Sequence, residues 1–377
     1  MKKKLTLIFT LLTISFSFAQ TFNANGINYS VISSTTNVKV SSNGSFVGAA
    51  NIPSTVTDGT TTFTVTGIDS FAFYNCAGLT SVSLPSSITT IDTRAFSDCA
   101  NLNSINIPTS VTTLGSQVFV NCTSLTTVSI PDSVTSIGAA IFANCTNLTS
   151  VSIGNSITTI PQGMFSGCSH LTSVTIPNSV TSIANVAFNA CTSLTSLSLP
   201  NSITSIGNNA FGSCSNLTSF TLPASITFID EYAFAFCNQL TSFTANLNTP
   251  LTINANVFAG VTQSNCTLYV PSGSVVAYQA APVWQNFAPI NPILSNSNFS
   301  IENNLSFYPN PIQNDLYVDL ENVTQATLQI IDTNGRVIQN KELQLNNKIN
   351  TSNLPLGMYF FKISSNEGVA MRRIVKI

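Results

Sequence analysis

The sequence predicts a repeat solenoid, an array of 23-residue coils made of parallel β-strands with short helical turns, followed by a small all-β, immunoglobulin-like sandwich. Three observations predict it. Cysteines stand at positions 76, 99, 122, 145, 168, 191, 214 and 237, so every interval is 23 residues. Phe73, Phe96, Phe119, Phe142, Phe165, Phe188, Phe211 and Phe234 keep that interval, as do Leu79, Leu102, Leu125, Leu148, Leu171, Leu194, Leu217 and Leu240, which sets eight coils in register. Residues 301–377 then hold 7 basic and 7 acidic residues, 14 of the chain's 26 charges, a shift in composition that marks a second domain.

Within a coil, apolar residues alternate with Ser or Thr, as in Val82 and Leu84, Ile105 and Ile107, or Val128 and Ile130. A period of two belongs to a strand with one face buried. Pro85, Pro108, Pro131, Pro177, Pro200 and Pro223 close that strand, because Pro has no N–H for the next ladder bond; Gly154 stands in once. The following Val-Thr-Ser-Ile type segment reads as a second short strand. Ala-Phe-x-x-Cys, with apolar residues three apart, reads as one helical turn. No coil buries its apolar face alone, so stacked neighbours complete the core. Coils about 4.8 Å apart along a parallel sheet make eight of them roughly 40 Å long.

A period of this length carrying Leu-x-x-apolar-x-apolar is the leucine-rich-repeat signature. Coils such as FSDCANLNSINIPTSVTTL resemble the BspA-like, Treponema-type leucine-rich repeats of bacterial surfaces, over about residues 51–290. That resemblance implies a right-handed solenoid. An array needs closed ends. Residues 20–70 are expected to cap the first coil, with a hairpin at Asp58-Gly59. The segment CTLYVPSGSVVAYQAAPVWQNF breaks the period and resembles the closing piece of such arrays, with Trp284 as its lid. The solenoid with this cap is placed at 71–290.

Met1-Lys2-Lys3-Lys4, the apolar run Leu5 to Ala19 and then Gln20 have the three parts of a secretory signal, with cleavage between Ala19 and Gln20. The run is 15 residues, short of the about 20 that span a bilayer. Export would leave 9 basic and 14 acidic residues and no membrane-spanning segment in the mature chain.

Charged residues make up 7% of the chain, against about a quarter in ordinary soluble domains. With 44% apolar residues the chain is built to pack, which excludes disorder. Arg94 is the one basic residue between 71 and 300, which excludes nucleic acid as a partner. The eight ladder cysteines occupy one coil position and point the same way, whereas a disulfide needs converging Cβ vectors, so buried free thiols are expected. Cys266 is off register and could be exposed, which makes it the one candidate for intermolecular pairing. His170 stands in a variable polar slot of the coil, and Asp92, Asp98, Asp132, Asp230 and Glu231 form no paired arrangement. The sequence therefore predicts no enzyme, no metal and no cofactor.

The residues flanking the buried strand position face outward, on what would be the concave side of the array. They are Ser81, Ser83, Ser104, Asn106, Thr127, Ser129, Ser150, Ser152, Ser173, Thr175, Ser196, Ser198, Ser219, Thr221, Ser242 and Thr244. Two readings stay open. The hydroxyls either make a soluble, silent sheet face or form a regular multivalent array for a polymer or an extended surface. An ice-binding lattice is less favoured, because Ser dominates where such faces favour Thr.

The Pro-, Asn- and Ser-rich segment 291–304 reads as a linker. Beyond it, at 305–377, short alternating runs separated by Asn, Gly and Pro predict a sandwich of about seven strands. FYPNP (307–311), IIDTNGRVI (330–338), LPLGMYFFKI (354–363) and the final RRIVKI closely resemble the type A sorting domain of the type IX secretion system. The resemblance implies export across the outer membrane through the type IX machinery as partner, and gives Gly335, Arg336, Gly357, Tyr359 and Lys376 as sorting positions. Taken together, the sequence predicts a secreted or outer-surface leucine-rich-repeat protein that binds an extracellular protein or polysaccharide in adhesion or attachment. The alternative is a structural or polysaccharide-capturing surface protein.

Overall fold

A computed structural model describes residues 20–293, 305–320, 326–333, 335–343, 347–365 and 368–377. The expected signal segment 1–19, with Ala19, and residues 294–304 of the expected linker lie outside the described residues. The chain divides into two compact units between Ile293 and Leu294.

The first unit is a parallel β-solenoid. One side carries the strands Leu79–Ser83, Ser104–Ile105, Thr127–Ser129, Ser150–Ser152, Ser173–Thr175, Ser219–Leu222 and Ser242–Ala245. Equivalent residues pair one coil apart, so that Thr127 lies beside Ser150 and Ser150 beside Ser173. The rungs continue past the repeats at both ends: Gly48–Asn51 pairs with Leu79–Ser83, Thr267–Val270 pairs with Ser242–Ala245, and Ile290–Pro292 pairs with Thr267–Val270. Residues 291 and 292 thus lie in the last rung. A second side is built from two-residue strands, among them Thr90–Ile91, Thr113–Leu114 and Ser136–Ile137.

The third side differs from the expected helical turn. Each Ala-Phe-x-x-Cys segment is a pair of turns with left-handed residues two before and two after the ladder Phe, as at Arg94 (φ 55) and Asp98 (φ 64) around Phe96, or Gly163 (φ 63) and Gly167 (φ 75) around Phe165. The consequence is in the hydrogen bonds. Arg94, Phe96 and Asp98 donate their N–H groups to the carbonyls of Ser116, Val118 and Val120 in the next coil, at 3.0, 3.0 and 2.7 Å. A continuous right-handed turn spends its N–H groups on its own carbonyls. Left-handed residues redirect them along the array.

The ladder phenylalanines form one stack from Phe73 to Phe258, with neighbouring centroids 5.2 to 5.9 Å apart. Both ends of the stack are met edge-on. Phe46 meets Phe73 at 5.6 Å and 89°, and Phe287 meets Phe258 at 5.0 Å and 90°. Edge-on contact is among the favoured geometries of aromatic pairs. Trp284 is fully buried beside Phe258 and donates its Nε1–H to the Leu251 carbonyl at 2.7 Å. At the N-terminal end, Thr55–Thr57 and Thr62–Ile68 pair antiparallel across Asp58 to Thr61, and Asn37–Val40 runs parallel to Thr62–Ile68.

Among the described residues, the second unit is a seven-stranded sandwich. One sheet holds Leu305–Tyr308, Asp315–Leu320 and Asn347–Asn350; the other holds, in spatial order, Val337–Leu343, Ala326–Ile331, Gly357–Ser365 and Gly368–Lys376. Leu316, Val318, Leu328, Ile330, Ile349, Phe361 and Ile363 fill the space between them.

Candidate functional site

The sixteen outward positions of the strand side fall on one uncharged face. Eleven are exposed, and Ser81, Ser150, Ser219, Ser242 and Thr244 are half-buried. Val128, Val151 and Val174 form the floor between them, at 5%, 3% and 8% exposure. The hydroxyls also contact one another along the array, with Ser152 Oγ donating to Ser129 Oγ at 2.8 Å. A shallow trough runs over Asn106, Thr127, Ser129, Ser150, Ser152, Ser173 and Thr175, and another over Ser196, Ser198, Ser219 and Thr221. Hydroxyls at a fixed repeat can donate and accept, but none carries charge.

The groups with reactive chemistry are engaged structurally. All nine cysteines are free and buried. Cys266 is a correction: it is fully buried, because the chain continues there into the rung Thr267–Val270 and turns the thiol inward. Burial pushes the Cys99, Cys168, Cys237 and Cys266 thiols up to about 12, and those of Cys122, Cys145, Cys191 and Cys214 well above the ordinary 9.0. Such thiols are poor nucleophiles. His170 is exposed with Nδ1 2.7 Å from the Thr146 carbonyl. Asp92 pairs with Lys39 at 2.5 Å, Asp98 accepts from Asn121 at 2.6 Å, and Asp132 accepts from the Asn155 N–H at 2.7 Å. Each of these contacts ties neighbouring turns or the N-terminal strands to the array. Sequence reading missed the Lys39 pairing, since Lys39 and Asp92 lie 53 residues apart. Among the described residues, no three of His, Cys, Asp and Glu are placed to hold a metal ion.

The C-terminal motifs converge. Ile331 pairs with Phe360 and Val337, Phe360 with Arg373, Met358 with Val375, and Gly357 with Lys376. The Asn310 side chain reaches the last strand at its outer edge, donating to the Arg373 carbonyl at 3.2 Å and accepting from the Val375 N–H at 3.0 Å. All four motifs thereby meet at one end of the sandwich. Gly335 has φ +83, and Asp332 holds Arg336 through both its backbone N–H and its guanidinium, at 2.9 and 3.2 Å. Asn334 lies outside the described residues. Gly357 has φ +152, a conformation a side chain disfavours. Tyr359 is buried and its hydroxyl donates to the Pro355 carbonyl at 2.9 Å, tying the strand to the turn before it. Lys376 is buried, with 7% exposure.

With this geometry in place, the chain's relatives are informative. Residues 42–172 and 158–276 match the BspA type leucine rich repeat region family, and residues 306–377 match the secretion system C-terminal sorting domain family. The chain belongs to the BspA-type leucine-rich-repeat family. It is a surface or secreted protein handled by the type IX secretion system through its C-terminal sorting domain. A leucine-rich repeat protein from Bacteroides ovatus is similar at 24% identity, covering 67% of this chain and 74% of its own, with a TM-score of 0.51. A leucine rich cell surface protein from Faecalibacterium prausnitzii is similar at 24% identity, covering 74% and 96%, with a TM-score of 0.51. These two likenesses show the solenoid fold. No curated protein matches the chain. Among the described residues, no helix is long and apolar enough to cross a membrane.

Proposed function

We propose that the exported array acts by binding, not by catalysis, and attaches its bearer to an extracellular polymer or protein through the hydroxyl face of its strands. One observation carries the reading. Sixteen outward positions repeat one coil apart without a single charge, and eleven of them are exposed. A ligand meeting such a face gains little at any one coil and sums many weak contacts along the row, which suits a repeating chain such as a neutral polysaccharide. None of the sixteen positions is a Trp, Tyr or Arg, and Tyr269, beside Thr244 at the end of the row, is half-buried, which argues against a single hot-spot partner. In this reading residues 20–70 and the segment around Trp284 are caps that keep the array ends from pairing, and the residues after Pro292 join it to the sorting domain at 305–377.

The test is binding of the whole secreted chain to immobilised matrix proteins, polysaccharides and cells, beside a Ser150→Lys, Ser173→Lys variant. Saturable binding lost in the variant supports the reading; binding unaffected by it overturns the choice of face. A purely structural coat is the second reading, favoured by the Ser152 to Ser129 contact, in which the hydroxyls satisfy one another.

A further inference from the structure

The sandwich carries an apolar outer face at the end where the sorting motifs meet. Directly opposed residues of antiparallel strands lie on one side of a sheet. Tyr359, Phe361, Ile363 and Ile374 are buried in the core. The alternating residues of the same strands therefore point outward. Met358 and Val375 oppose each other there, with 40% and 37% exposure. Beside them lies a row of Val337, Ile331, Phe360 and Arg373, with Val337 48% exposed. An antiparallel sheet with one packed face ordinarily turns polar residues to water. Here five apolar side chains share the patch.

Basic residues border it. Arg373 and Lys362 stand on the same face, and Arg336 lies at its corner. Among the described residues the nearest carboxylate, Asp332, is already held by Arg336. Glu342 opposes Thr327, at the far end of the strands. Contiguous exposed apolar surface marks an interaction site more often than chance solvent exposure.

We propose that this outward face is the surface by which the export machinery grips the chain, and that the partner is a protein presenting an apolar strip bordered by carboxylates. The proposal rests on the sorting role of residues 306–377. Apolar contact supplies the affinity, and the basic pair Lys362 and Arg373 sets orientation and encounter, Arg336 being already bound to Asp332. The motif residues then have a common task. Asn310, Asp332, Gly357 and Tyr359 fix the strand ends that present the patch.

The experiment uses the full chain in a host with a working type IX system and reads the fraction of protein accessible at the cell surface against that retained in the periplasm. A Met358→Glu, Val375→Glu variant is expected to lower the exported fraction about tenfold, the effect of losing a central contact. A Met358→Ser, Val375→Ser variant, with a melting temperature like that of the parent, is expected to lose export several-fold, which separates docking from folding. Tyr317→Glu, on the outer face of the other sheet, is expected to export normally. Normal export of both double variants overturns the docking face. So does loss of export in the Glu pair alone, with the Ser pair folded and exported. A parent chain that dimerises through Met358 and Val375 would also overturn it, because the occupant would then be a second copy. Deleting residues 305–377 in parallel reads the sorting role by itself. Export of the deleted chain sinks that role, whereas blocked export with normal double variants sinks only the docking face.

Discussion

The Cys99 thiol donates to the backbone carbonyl of Phe73 at 3.0 Å, and the bond recurs one coil later from Cys122 to Phe96 at 3.1 Å and on to Cys237 and Phe211 at 3.2 Å. Every ladder cysteine therefore points its sulfur back toward the preceding coil. Parallel Cβ vectors cannot close a disulfide. In an exported protein, where cysteines ordinarily pair, this geometry keeps them apart.

All nine thiols should be free and silent in the native chain. Titration with a thiol reagent in denaturant, without reductant, is expected to find nine, against almost none under native conditions. Finding one or fewer in denaturant would mean the ladder is oxidised.

Alkali should unfold the array. The folded thiols hold their protons up to about 12, whereas unfolded ones release them near 9.0. Above pH 9 the native state thus binds more protons, and stability falls by up to about 1.4 kcal/mol per pH unit for each such thiol. The contribution is complete below pH 9 and fades as pH rises toward 12. Melting temperatures measured from pH 8 to 11 should drop steeply; a flat profile contradicts the buried ladder.

Truncating the aromatic stack should cost most where it is enclosed. Phe142→Ala leaves a void between Phe119 and Phe165 and should lower stability by about 3–5 kcal/mol in denaturant unfolding. Trp284→Ala uncovers Phe258 and removes the bond to Leu251, so hydrogen-exchange protection should fail first in the last coils.

One substitution should stabilise. Val186 holds a left-handed φ of 52, at the position Gly163 fills one coil earlier. Its strain costs about 1–2 kcal/mol, more than the 0.5–1 kcal/mol a glycine loses in chain entropy. Val186→Gly should therefore raise the melting temperature slightly. A fall would show that the Val186 side chain contributes packing that outweighs the strain.

Tyr359→Phe removes the bond to the Pro355 carbonyl, at a cost of about 1 kcal/mol in the sandwich. Unfolding of the sandwich should shift down while the solenoid transition stays in place.

The ladder residues were legible because burial at a fixed period leaves residue types behind: Phe96, Cys99 and Leu102 recur wherever a coil fills its core. The left-handed turns were not. Asn75, Asn121 and Gly163 hint at them, but Phe71, Arg94 and Tyr232 adopt the same conformation, so no residue class marks the position. Spacing of three between Phe and Cys fits a helical turn and this double turn equally well. Cys266 escaped for a related reason. The rung after it is read from its pairing with Ser242–Thr244, and the 25-residue offset from Ser242 to Thr267 breaks the period by which the others were found. On the outward face, the sixteen positions followed from strand alternation alone. The convergence of the four C-terminal motifs lay in sheet topology, which their order along the chain does not display.

The redirected amides bear on the array's electrostatics. Around Phe96, the peptide units ending at Arg94, Phe96 and Asp98 aim their N–H groups at the next coil, and this repeats along the stack. Elsewhere in the same coil, the N–H groups of Asn103, Thr112 and Gly115 aim at Thr80, Thr89 and Ile91 of the preceding coil. Aligned peptide dipoles add, as they do in a helix. Here these columns face opposite ways, so their fields oppose along the array instead of adding as in a helix. The ends that these opposed columns reach are closed by aromatic rings, Phe46 on Phe73 and Phe287 on Phe258.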